Sequence, residues 1–338
     1  MRGMKVGISA VSYFLPPAVE TVEQLAQEFP EWSIEKIATK TGINRRHIAG
    51  SDVCSSDLAL ESARILFDEH HIDPADVDFV LLCTQSPDYL LPTTACLLQD
   101  RLGIPQTAGA LDFNLGCSGF IYGLGLAGGL IQSNQADKVL LITAETYSKF
   151  ISSKDKSVRS IFGDAAASTL ITRADNSSLG PFIYGTDGAG AKHLMLKVGG
   201  MRYPRVADVS PPVIDQYGNL HDEACLIMNG QEVFNFTLKV VPAAVEALLD
   251  KAGFQQEQVD YFIFHQANRF MLETLRKKLR IPEDRFCICL EHCGNTVSST
   301  IPIALAHALK EGRVHSGSRV MLVGFGVGLS WGAVLVEF

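Results

Sequence analysis

The amino-acid sequence predicts an α/β fold of two similar halves, each giving a sheet to a pair packed around shared helices. Two observations predict it. Residues 63–86 (ARILFDEHHIDPADVDFVLLCTQS) and 245–268 (VEALLDKAGFQQEQVDYFIFHQAN) follow one plan: an amphipathic helix, a polar connector, Val-Asp, then a short apolar run typical of a buried parallel strand. The likeness then continues in register. Leu102-Gly103-Ile104-Pro105 answers Leu279-Arg280-Ile281-Pro282, the expected strand ALDFNL answers CICLEH, and the small-residue turn GCSGF answers CGNTVS. A helix follows each turn, and KVLLITAE at 138–145 and RVMLVGFG at 319–326 close the halves. Two α–β–α–β–α–β halves imply parallel-rich sheets, with a division into 1–173 and 174–338.

The remaining segments are read in order. MRGMKVGISAVSYFLPP is expected to be a first strand, because Ser and Gly break its apolar stretch too early for a signal peptide. Residues 20–60 hold two short helices and a Ser/Asp-rich loop, SDVCSSD. The stretch 174–235 has no counterpart in the first half and reads as an insertion of loops and short strands.

Composition narrows the function classes. Hydrophobic residues make up 47% and charged residues 20%, the balance of a soluble globular protein. A net charge of -8 argues against a general nucleic-acid surface. No apolar run reaches the roughly 18 residues of a membrane helix. The eight cysteines, Cys54, Cys83, Cys96, Cys117, Cys225, Cys287, Cys289 and Cys293, are expected to be reduced thiols in a cytoplasmic protein.

In duplicated α/β folds, sites gather at the carboxyl ends of parallel strands. Cys117 lies in such a place, after the strand ending near Asp112-Phe113 and at the start of a helix. A helix N-terminus lowers a thiol pKa, and Gly116, Ser118 and Gly119 leave room for an acyl group. His265 ends the corresponding strand of the second half and is followed by Gln266 and Asn268. Aligning Val77-Asp78 on Val259-Asp260 puts it opposite Cys83. Asn295, in GNTVSS, is expected at a helix start related to Cys117 by the internal pseudo-twofold. The Gly-rich loop 324–330 is a further place to receive an oxyanion on backbone N–H groups.

Two motifs invite other readings. Gly123, Gly125 and Gly128 match GxGxxG but lie inside the helix rather than at the strand-to-helix turn, so they read as close packing. Cys287, Cys289, His292 and Cys293 resemble a zinc cluster, yet no second CxxC or HxxH completes it, and no metal is assigned.

Taken together, GCSGF around Cys117, HQAN at 265–268, GNTVSS at 294–299, FGD at 162–164 and GFGVGLSWG at 324–332 resemble β-ketoacyl-acyl-carrier-protein synthase III. So do Thr41-Gly42-Ile43 and Arg46-His47-Ile48-Ala49. The resemblance implies a thiolase-like fold, a homodimer, no cofactor, and acyl-CoA and acyl carrier protein as partners. It implies that Cys117 carries the primer acyl group and that the N–H groups of Cys117 and Val327 hold its oxyanion. His265 and Asn295 then stabilise the enolate formed when a malonyl thioester loses carbon dioxide. Substrate contacts carried over in the same way are Lys36, Lys40, Lys156, Arg159, Met228, Gly230, Phe234, Asn268 and Phe325. Lys36 and Lys40 stand where relatives often place a Trp and an Arg, with Trp32 one helical turn earlier. Leu91 stands where an aromatic residue often reaches the partner's acyl pocket. Two alternatives remain open: a non-decarboxylating acyltransferase of the same fold, and a metal-binding scaffold built on the Cys287–Cys293 segment.

Overall fold

Apolar strands, the inner ones buried on both faces, form the two sheets. The computed structural model describes residues 5–31, 33–175, 177–205, 210–216 and 218–338; Trp32 lies outside them. The first sheet comprises β1 (Val6–Phe14), β2 (Phe79–Cys83), β3 (Gly109–Phe113), β4 (Lys138–Glu145) and β5 (Ala165–Arg173). Their lateral order is β1-β5-β4-β2-β3. The second comprises β6 (Ser178–Thr186), β7 (Tyr261–Phe264), β8 (Arg319–Gly326) and β9 (Ser330–Glu337), ordered β6-β9-β8-β7. Beyond β7, a single parallel bridge from Phe262 to Phe286 marks the fifth place. The two halves thus repeat one strand order. We propose residues 173 and 174 as the boundary between them, since β5 ends at Arg173 and β6 begins at Ser178.

Nine helices accompany these strands among the described residues: α1 (Val22–Glu28), α2 (Ile34–Thr41), α3 (Ser55–His70), α4 (Thr94–Arg101), α5 (Gly119–Gln132), α6 (Lys156–Arg159), α7 (Gly230–Ala252), α8 (Arg269–Lys278) and α9 (Thr300–Lys310). Helices α5 and α9 lie between the sheets. Ile121 and Leu124 of α5 share one core with Leu141 of the first sheet and Leu322 of the second. Gly123 keeps that approach close, because a Cβ there would sit 2.6 Å from a Leu141 methyl. All three GxGxxG glycines lie within α5; Gly123 and Gly125 are packing positions, whereas a Cβ on Gly128 would meet nothing within 4 Å. Helices α3 and α7 cover the outer faces.

Four expectations change. The sheets are mixed: β1–β5, β5–β4, β6–β9 and β9–β8 pair antiparallel, while β4–β2, β2–β3 and β7–β8 pair parallel. Residues 178–186 are no insertion but the counterpart of β1, leaving the described residues of 187–229 as the irregular part with short pairs such as Ile227–Met228 on Leu194–Met195. The CICLEH segment is not a strand, because Gln266 takes up its backbone: Oε1 accepts from Cys289 N at 2.7 Å, and Nε2 donates to the Cys287 carbonyl. Finally, the end of SDVCSSD is the first turn of α3, where Asp57 accepts from Cys54 N at 2.8 Å.

Candidate active site

Cys117 sits in the turn between β3 and α5 and is buried. The second half reaches it through two glycines of β8. A Cβ on Gly326 would lie 2.8 Å from Cys117 Sγ, and one on Gly324 would lie 2.9 Å from the Cys117 carbonyl oxygen. Only residues without a side chain allow that approach. The backbone N–H groups of Val327 and of Cys117 itself lie near enough to the sulfur to favour its charged form. The expected lowering of the thiol pKa is not found. Burial pushes it up to about 12, with the Glu145 carboxyl adding to the rise. Desolvation of a thiolate outweighs the field of one helix terminus here.

His265 directly follows β7, its N–H donating to Val323 O at 2.8 Å. Its ring packs edge-on against Phe325, with centroids 5.4 Å apart. Phe325 and Gly326 are consecutive, so β8 links the histidine to the cysteine. Burial lowers the His265 pKa to about 3, and the imidazole is neutral. Nδ1 lies 2.7 Å from Thr300 Oγ1, and Nε2 lies 3.5 Å from Asn295 Nδ2.

Asn295 lies two residues before the 3-10 turn Val297–Ser299 that runs directly into α9, as Cys117 lies two residues before α5. It is bridged to Phe162, because its backbone N–H bonds Ile161 O and its carbonyl accepts from Gly163 N. The motifs FGD and RHIA thus act as scaffold: Arg46 donates to Phe162 O, and Asp164 accepts from Ala49 N. Asn295 Oδ1 accepts from Val297 N at 2.9 Å, which fixes the amide so that Nδ2 faces His265. Val297 itself adopts φ +54°, a conformation disfavoured for a β-branched residue.

A cavity of about 720 Å³ reaches Val327 and is lined by Gln85, Tyr89, Leu90, Tyr147 and Phe150. Leu91 is 82% exposed and is not among the lining residues; Tyr89 and Leu90 are. Sequence reading also missed Glu145 and Thr300. Glu145 is fully buried at the end of β4 and accepts from Ser298 Oγ (2.8 Å), Ser86 Oγ (3.1 Å) and Gln85 N. Burial raises its pKa to about 8. Its only sequence signal is an acid closing an apolar strand.

The peripheral residues divide. Lys36 and Lys40 are exposed on α2, and Lys40 Nζ lies 5.4 Å from the Phe270 ring, which stacks on Phe234. Met228 and Gly230 stand at the start of α7, and Asn268 caps α8 through Met271 N. Lys156 opens α6, half-buried. Two of these residues are already engaged within the fold. Arg159 is committed to Glu20 and Glu28 and to the Ser153 carbonyl, so carboxylates already balance its charge. Phe325 is buried against His265. Among the described residues no three His, Cys, Asp or Glu side chains are grouped to hold a metal. Cys287 and Cys293 are buried, and the Cys293 thiol donates to the Cys289 carbonyl.

Two family models match: 3-oxoacyl-[acyl-carrier-protein] synthase III over residues 111–188, and its C-terminal counterpart over 249–338. A β-ketoacyl-[acyl-carrier-protein] synthase III from Caldanaerobacter subterraneus is 36% identical, covering 98% of this chain and 97% of its own. A solved 3-oxoacyl-(acyl-carrier-protein) synthase III shares 50% identity at a TM-score of 0.97, covering 99% of this chain and 100% of its own. The Thermus thermophilus β-ketoacyl-[acyl-carrier-protein] synthase III structure shares 34% identity at a TM-score of 0.88, covering 98% and 99%.

Proposed function

Because the chain belongs to the β-ketoacyl-acyl-carrier-protein synthase III family, with its thiolase-like fold, we propose that Cys117, His265 and Asn295 divide a decarboxylative condensation between them. The enzyme is an acyltransferase of the condensing type. In the first half-reaction Cys117 Sγ attacks the carbonyl of an acyl-CoA primer. The N–H groups of Cys117 and Val327 receive the oxyanion, and CoA leaves as its thiol with the cysteine's proton. In the second, a malonyl-acyl-carrier-protein enters. Its thioester carbonyl accepts from Asn295 Nδ2 and His265 Nε2, its carboxylate departs as carbon dioxide, and the electron pair passes into the enolate. The enolate carbon attacks the acyl group, and Cys117 leaves as thiolate to be reprotonated.

The observation that carries this reading is the amide of Asn295, held by Val297 N–H with its Nδ2 turned to the neutral ring of His265. A neutral imidazole beside an amide suits enolate stabilisation. Lys36 and Lys40, with Met228, Gly230, Phe234 and Asn268, are assigned to the pantetheine and nucleotide path, and Lys156 to its rim. No helix among the described residues is long and apolar enough to cross a membrane, and we place the homodimeric enzyme in the cytoplasm with no cofactor.

The test measures carbon dioxide release from labelled malonyl thioester beside intact-mass acylation from acyl-CoA. His265→Ala and Asn295→Ala should each keep acylation of Cys117 and lose condensation about 100- to 1,000-fold, the usual cost of one oxyanion donor. Cys117→Ala should lose acylation. Wild-type carbon dioxide release by both donor variants would put simple acyl transfer ahead.

A further inference from the structure

From the contacts around His265 we infer that Thr300 is a positioning residue: its hydroxyl, donated to Nδ1, keeps the imidazole proton on Nε2, facing the substrate. The inference rests on the reading of His265 as a hydrogen-bond donor.

A neutral imidazole has one N–H, and the partner of one nitrogen decides where it sits. Thr300 opens α9 and is buried, with Oγ1 2.7 Å from His265 Nδ1 and 3.1 Å from Val297 O. The single hydroxyl hydrogen goes either to Nδ1 or, where Nδ1 carries the ring proton and donates to Oγ1, to Val297 O; what each arrangement leaves at Nε2 decides between them. The opposite arrangement would put the proton on Nδ1 and leave the buried Nε2 to accept from Asn295 Nδ2. That contact is 3.5 Å, beyond the 2.7–3.2 Å of an effective N–H···O bond and so a poor partner for a buried acceptor. The spacing instead suits two donors that share a third group, the thioester carbonyl. Val297 sits at the centre of this arrangement. Its N–H orients Asn295, and its C=O lies beside the hydroxyl that orients His265. A left-handed Val at this point holds both dipoles where the catalytic side chains need them.

Thr300→Val removes the hydroxyl with little change in volume, and Thr300→Ser keeps it. With Val, Nδ1 has no partner and nothing pins the proton to Nε2, so the ring populates both tautomers. Carbon dioxide release should fall, by less than the roughly 100-fold of a lost oxyanion donor. Acylation of Cys117 should persist, and Thr300→Ser should restore most of the release. The direct readout is the histidine side-chain ¹⁵N pattern of folded enzyme, verified by circular dichroism. Wild type and Thr300→Ser should show His265 protonated at Nε2, and Thr300→Val should show a mixture of the two tautomers. A wild-type pattern protonated at Nδ1, or full carbon dioxide release by Thr300→Val while His265→Ala has lost it, would overturn the assignment. Should His265→Ala itself retain release, the failure lies with the donor role of His265 rather than with Thr300.

Discussion

At the scale of single residues, the site combines a nucleophile that resists ionisation with a histidine that resists protonation, both through burial. On the proposed mechanism Cys117 depends on a bound thioester and two N–H donors rather than on a standing thiolate. Iodoacetamide at neutral pH should modify exposed Cys96 before Cys117, while acyl-CoA should load Cys117 alone; peptide mapping separates the two. Glu145 is the second cause of the thiol's raised pKa. Glu145→Gln should move the pH profile of Cys117 alkylation toward lower pH, and an unmoved profile would remove its charge from the account. The same variant has a thermal signature. The Glu145 pKa is raised from 4.5 to about 8 on folding. Its contribution to stability is present below pH 4.5 and is lost as pH rises toward about 8. Melting temperatures of Glu145→Gln should decline less across that window than those of wild type.

At the scale of elements, β8 couples the halves by bringing Gly324 and Gly326 against Cys117. Gly326→Ala should push a methyl into Cys117 Sγ, at an overpacking cost of about 1–3 kcal/mol. The expected outcome is a folded protein with acylation sharply reduced; undiminished acylation would show that the strand yields. On the opposite flank, Lys36 and Lys40 are four residues apart on one face of α2, with Phe270 of α8 beside Lys40. Lys40→Glu should raise the Michaelis constant for the thioester donor and weaken its salt dependence, leaving the turnover number nearly unchanged. Equal constants at low salt would exclude this face from the donor's path.

At the scale of the whole molecule, β3 pairs only with β2, so one edge of the first sheet meets no other strand among the described residues. Leu111 on that strand is exposed, as are Tyr89, Leu90 and Leu91 on the nearby loop. An apolar edge of this kind is normally covered. Light scattering should give a dimer for wild type, and Leu111→Lys should shift the equilibrium to monomer with loss of condensation. A fully active monomer would remove the partner from the reaction. With Leu91 smaller than an aromatic ring, intact-mass trials across acyl-CoA thioesters should show primers longer than acetyl loading Cys117. Strict acetyl preference would count against that role.

The sequence by itself determined the duplication, the strand ends that carry Cys117 and His265, and the inner and outer helices. These features are written in contiguous segments, as a repeated hydrophobic period and a repeated turn. It misplaced β6, because a half-exposed edge strand lacks the apolar run of a buried one, and it read CICLEH as a strand that a Gln266 side chain had already partnered. Only the tertiary structure decided that Arg159 faces glutamates 139 and 131 positions away, and that Glu145 lies buried beside Ser298. It alone set Asn295 against Val297 and Thr300 against His265. Ionisation and hydrogen-bond polarity depend on which distant groups share a desolvated space, and local periodicity carries no record of that.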